Sequence, residues 1–183
     1  MLSTEHFRAL RLSSCNVSPL ANGCKLGLGY ANRASTGNDG MELYELTDDL
    51  MVGGQIGPDT IPLIAAQGIR AIICNRFDGE APDQPPFSSV EQAAAAHGIV
   101  AVSQPVLQPP AHISGEEAAA FGKLLEELPK PVLAYCRSGT RCTVLWALSQ
   151  APKQPFNEIV LQAMHAGYDL TRLVPRLRNL FRP

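Results

Sequence analysis

The chain has no run of about 20 apolar residues, the length a helix needs to cross a bilayer. It has no Lys/Arg-dense run, and its net charge is −2, which excludes a large nucleic-acid footprint. No CxxC pair or Cys/His cluster is present, and the four histidines, His6, His97, His112 and His165, are scattered, so neither a metal site nor a cofactor is expected. The five cysteines, Cys15, Cys24, Cys74, Cys136 and Cys142, are odd in number, which argues against a disulfide framework. Reduced thiols in a cytoplasmic setting are the expectation instead. No apolar core of about seven residues follows a basic start, so a secretory signal is not read. Internal repeats are absent.

What remains is a chain of 183 residues, 45% hydrophobic and 17% charged, enough for one domain with a real core. Residues 1–40 are rich in Ser, Asn, Gly and Ala and lack periodicity. They read as a disordered or extraneous leader, with a transit segment carried by Arg8, Arg11, Ser13 and Ser14 as the weaker alternative. Residues 41–183 form the expected domain, in which short strands alternate with helices. Strands are expected at Leu43–Leu46, Leu50–Val52, Ile69–Cys74, Ile99–Ser103 and Pro131–Tyr135. Pro58 and Asp59 open a helix that Gly68 closes, and Ser88 or Ser89 caps another that ends near Gly98. Ser114 and Glu117 form a capping box for a helix through Glu127. Helices follow at Arg141–Ser149, Phe156–Ala166 and Thr171–Phe181. The alternation implies an α/β fold: a mainly parallel short sheet flanked by helices.

The chemistry is concentrated at one strand end. Val132–Tyr135 delivers Cys136, then come Arg137, Ser138, Gly139, Thr140 and Arg141, and then a helix. Ligand sites in open α/β sheets lie at that edge. Loop amides and a helix N-terminus converging on the sulfur favour its anion, and the arginines add fixed charge. A thiol of ordinary pKa about 8.5 drops to roughly 4–7 in such a place. The same nest binds the oxygens of a small anionic substrate. Gly139 permits the tight turn, and Ser138 and Thr140 offer hydroxyls. Cys142 is a candidate resolving thiol that protects Cys136 from over-oxidation, or simply a small residue in the helix's first turn. Cys74 and Trp146 read as packing. Arg76 reads as an ion-pair partner of Asp78 or Glu80, and His112 as a plain loop residue.

Five stretches resemble one bacterial family: Leu46–Leu50, Gly54–Ile56, Asn75–Glu80, Cys136–Arg141 and Ala166–Leu170. It is the phosphatase-like domain of beta-lactamase hydrolase-like proteins, whose members are also described as sulfur transferases. The resemblance implies the fold of small tyrosine and dual-specificity phosphatases. Phosphatase-like loops carry His before the cysteine and Ser or Thr after the arginine. Here Tyr135 and Cys142 stand there, which reduces the expected ordering of the loop and puts a thiol where a hydroxyl is usual.

Two reactions suit this site. In sulfur transfer, Cys136 takes sulfane sulfur from a donor and carries it as a persulfide. In phosphate-ester hydrolysis, Cys136 forms a phosphocysteine that water breaks. Tyrosine-phosphatase-like loops place five residues between Cys and Arg, whereas rhodanese-type sulfurtransferases and this chain place four. The loop that should supply a general acid, Gln104–Ile113, has no Asp or Glu. Asp78, Glu80 and Asp83, on an earlier loop, are the candidate acids or supporting groups. These two points rank sulfurtransferase first, phosphatase second, and a non-catalytic anion- or redox-sensing module beside a sulfide-oxidising partner third.

Overall fold

The computed structural model describes residues 33–34 and 41–180. A six-stranded sheet has the order β1-β2-β3-β6-β4-β5. Its strands are β1 Arg33–Ala34, β2 Leu43–Thr47, β3 Leu50–Gly53, β4 Ala71–Cys74, β5 Val100–Ser103 and β6 Val132–Tyr135. The β1, β2 and β3 pairings are antiparallel, while β3–β6, β6–β4 and β4–β5 are parallel. Apart from Arg33–Ala34, the stretch expected to be a leader lies outside the described residues.

The central strands β4 and β6 are buried along their whole length, as their uninterrupted apolar sequence requires when both sheet faces are covered. Side chains alternate between two cores. Ala71, Ile73, Val132, Ala134 and Cys136 face one core, and Ile72, Cys74, Leu133 and Tyr135 face the other. Helices α1 (Ile61–Ala66) and α2 (Phe87–Ala96) cover the second face. Helices α3 (Gly115–Glu127), α4 (Thr140–Gln150), α5 (Phe156–His165) and α6 (Val174–Leu180) cover the first. Every residue of α4 from Cys142 to Ser149 is buried, so the helix that follows the reactive loop is the central one of its layer. Burying each large aliphatic side chain in these layers is worth about 1.5–3 kcal/mol, which fixes β6 and α4, and hence the loop between them, in place.

Element ends differ from expectation where capping groups come from afar. Ser114 caps α3 as its sequence predicts, accepting from the Glu117 N–H at 3.0 Å while Glu117 returns a bond to Ser114 N–H. Helix α2, however, begins at Phe87, before Ser88 and Ser89. Its first N–H donates to the Asp78 carboxylate at 2.8 Å, so the cap comes from nine residues upstream. The Pro-rich loop holds a 3-10 turn at Pro110–His112, and another, Thr171–Leu173, precedes α6. Among the described residues no helix is long and apolar enough to cross a membrane.

Candidate active site

The loop Cys136–Thr140 leaves β6 at the C-terminal edge of the parallel strands. Cys136 N–H donates to Gly53 O at 3.3 Å, and Ser138 bridges to Gly54, so β3 holds the loop from below. Gly139 turns the chain into α4 with φ +81°, a left-handed conformation that glycine adopts freely. Thr143 then ties back to Gly139 O through both its N–H and its hydroxyl, each at 3.0 Å. The turn that the sequence predicts at Gly139 is therefore present and braced.

These constraints aim donors at one sulfur. The Cys142 thiol and the backbone N–H groups of Ser138, Arg141 and Cys142 all bond Cys136 Sγ, holding its pKa down to about 5 against the opposing effect of burial. Cys142 shows the reverse, its thiol pushed well up by complete burial and by the Cys136 charge. The hydroxyl that usually follows the arginine is thus replaced by a thiol that still donates. Tyr135, standing where His is usual, faces the other core and is bonded to Cys74, whose thiol also donates to Arg76 O. Cys74 and Trp146 are buried packing residues, as read from sequence.

Arg141 is held firmly. Its guanidinium forks onto both Glu80 oxygens at 2.7 Å, donates to Val106 O at 2.8 Å, and also reaches Cys136 Sγ. Glu80 further accepts from Arg76 at 3.1 Å and from Phe77 N–H at 3.0 Å. The Arg141 pairing, above all, pushes its pKa down to about 2. Of the two roles read for Glu80, general acid or support, this geometry favours support: a carboxyl so stabilised as an anion has no proton to give near neutral pH. Asp78 is likewise occupied in capping α2. Arg76 takes the ion-pairing role predicted for it. Ser138 and Thr140 bond one another at 3.1 Å at the exposed mouth.

Two hollows meet at Arg137. One, of 650 Å³, runs past Ser138 and Thr140 to Tyr44, Gln55 and Tyr168. The other, of 380 Å³, is bordered by Gln55, Glu80 and Asp83. Tyr168 donates to Ser138 O at 3.2 Å and meets Tyr44 edge to face with ring centroids 5.6 Å apart. Sequence reasoning did not single out Gln55 or Tyr168, although both lie in stretches that carried the family resemblance. His112 lies on the exposed Pro-rich loop and is absent from both hollows. Among the described residues no group of three or more His, Cys, Asp or Glu could hold a metal ion.

Residues 42–153 match the family described as Beta-lactamase hydrolase-like protein, phosphatase-like domain. The chain belongs to that family. A Beta-lactamase hydrolase-like protein of Xylella fastidiosa (strain Temecula1) is 32% identical over 141 residues, which is 76% of this chain and 32% of that protein. The relative from Agrobacterium fabrum is 34% identical over 61% of this chain and 25% of its own length. The chain thus spans about a third or less of the curated relatives it matches. Among solved structures, a candidate phosphatase from Neisseria meningitidis Z2491 is 36% identical with a TM-score of 0.67, over 74% of this chain and 96% of that one. A P. aeruginosa TpbA structure in complex with pTyr has a TM-score of 0.51 at 15% identity, covering 71% and 76%, and supports the fold alone. Together these findings place the fold among tyrosine- and dual-specificity-like phosphatases.

Proposed function

We propose that this family member hydrolyses phosphate monoesters through a phosphocysteine on Cys136. The observation that carries the reading is the convergence of three backbone N–H groups on a sulfur held as an anion, inside a phosphatase-type sheet. In the first step the Cys136 thiolate attacks phosphorus and the ester P–O bond breaks, the leaving oxygen taking a proton. Water then attacks phosphorus, the P–S bond breaks, and inorganic phosphate leaves with the thiolate restored. The amides that bond the sulfur face the oxygens of the transferring group, where charge builds up in the transition state. Arg137, at the junction of both hollows, supplies a cation to the incoming ester. Arg141, fixed by Glu80, adds positive potential at the sulfur.

This reverses the ranking that loop length suggested. The short loop favours sulfur transfer, but the most informative solved relative, at 36% identity, is a phosphatase candidate, and the family is phosphatase-like. The sulfide-oxidising partner expected beside a non-catalytic sensing module has no part in this reading. The test is turnover of p-nitrophenyl phosphate against thiocyanate release from thiosulfate plus cyanide. Nitrophenol release that disappears in Cys136→Ser is the expected result. Thiocyanate release without ester turnover would restore the sulfurtransferase. Neither activity, with inorganic phosphate still bound, would leave an anion-sensing module.

A further inference from the structure

We propose that Asp83 is the general acid that protonates the leaving oxygen. The inference rests on the phosphatase reading and supplies a group that reading lacks, since the loop from Gln104 to Ile113 offers no carboxyl. An exposed alkoxide is a poor leaving group, so ester cleavage at neutral pH calls for a proton donor close to the mouth.

The carboxyls around the mouth differ in what they are free to do. Asp78 caps α2. Glu80 clamps Arg141 and Arg76 as an anion. Glu117 is closed into its capping box. Asp169, in the Tyr168 hollow, is taken by the Thr171 N–H and hydroxyl. Asp83 alone lines a hollow at the loop while making no hydrogen bond or ion pair among the described residues. It faces the hollow that contains Arg137, the residue directly after the nucleophile.

Asp83 is exposed, but its loop is braced. The Ala81–Gln84 turn is closed by Gln84 N–H to Ala81 O at 3.2 Å, and Gln84 Nε2 donates to Phe77 O at 2.7 Å. Asp78 at one end and Glu80 in the middle tie the same loop to α2 and α4. The turn therefore presents Asp83 from a fixed support and not from a free tip. In-line displacement puts the leaving oxygen on the side of phosphorus away from the sulfur, outward from the loop floor. Neutral Asp83 gives its proton to the leaving oxygen as P–O breaks. The resulting carboxylate takes a proton from the attacking water as P–S breaks, which returns the site to its starting state.

The experiment compares the full chain with Asp83→Asn and Asp83→Glu on two esters, p-nitrophenyl phosphate and phenyl phosphate, across pH. p-Nitrophenolate leaves readily without a proton and phenolate does not. Asp83→Asn is expected to lower kcat on phenyl phosphate by about 100-fold and on p-nitrophenyl phosphate far less, with loss of the alkaline limb of the pH profile. Asp83→Glu is expected to restore part of both. An equal loss on the two esters, or an unchanged profile, overturns the assignment of Asp83 while Cys136-dependent turnover stands. Absence of any Cys136-dependent ester turnover in the unaltered chain overturns the phosphatase reading and the role of Asp83 with it.

Discussion

At the scale of single residues, the decisive feature is a pair of thiols that are six positions apart in sequence and driven in opposite directions. Cys142 is fully buried, so its own ionisation is suppressed and its S–H remains available as a donor. That donor is the largest cause of the low Cys136 value, about 5. Removing it with Cys142→Ala should raise the pH midpoint of Cys136 alkylation by iodoacetamide by about one to two units, the size expected of a hydrogen bond to a charged group. Cys142→Ser keeps a donor and should stay nearer the unaltered chain. Superimposable profiles for Cys142→Ala and the parent would remove Cys142 from the thiolate's support. The sequence shows a thiol in place of a hydroxyl but not its direction, because donation depends on which face of α4 turns toward β6.

At the scale of elements, the loop between β6 and α4 works because two distant segments press on it. Tyr168, beyond α5, lies so close to Gly139 that a Cβ there would fall 2.0 Å from its hydroxyl and 2.8 Å from the ring carbon bearing it. Gly139→Ala therefore meets both a left-handed backbone and a hard contact. It should cost about 1–3 kcal/mol in a urea melt and abolish most turnover. Adding Tyr168→Ala relieves the contact but not the φ, so the double variant should recover only part of the stability; full recovery would mean that φ carries no strain. The element order, the Ser114 box, the strand-loop-helix around Cys136 and the turn at Gly139 were legible because each depends on residues a few positions apart. The Asp78 cap on α2, the Glu80 clamp on Arg141 across 61 positions and the Tyr168 contact were not, since chain folding alone brings them together. The same limit applies to Glu80, whose commitment to two arginines is a tertiary fact.

At the scale of the whole molecule, the thiol pair makes folding stability depend on pH with a definite sign. The folded value of Cys136 lies below its ordinary 9.0, so its contribution is fully present above that value and is lost as pH falls through about 5. The folded value of Cys142 is raised, so its contribution is present below 9.0 and lost as pH climbs beyond it. Between about 5 and 9 the unfolded chain binds more protons than the folded one, and stability should rise with pH. Glu80 acts in a separate window, its stabilisation being present above 4.5 and lost as pH falls toward about 2. The measurement is the urea midpoint of the unaltered chain minus that of Cys136→Ser at several pH values. The difference should grow steadily from pH 5 to pH 9, while Glu80→Gln should lower the midpoint most above pH 4.5, the gap to the parent closing as pH falls toward about 2. A difference that stays flat across the upper window would mean the folded protein does not hold Cys136 as an anion, because groups common to the two chains largely cancel in the difference.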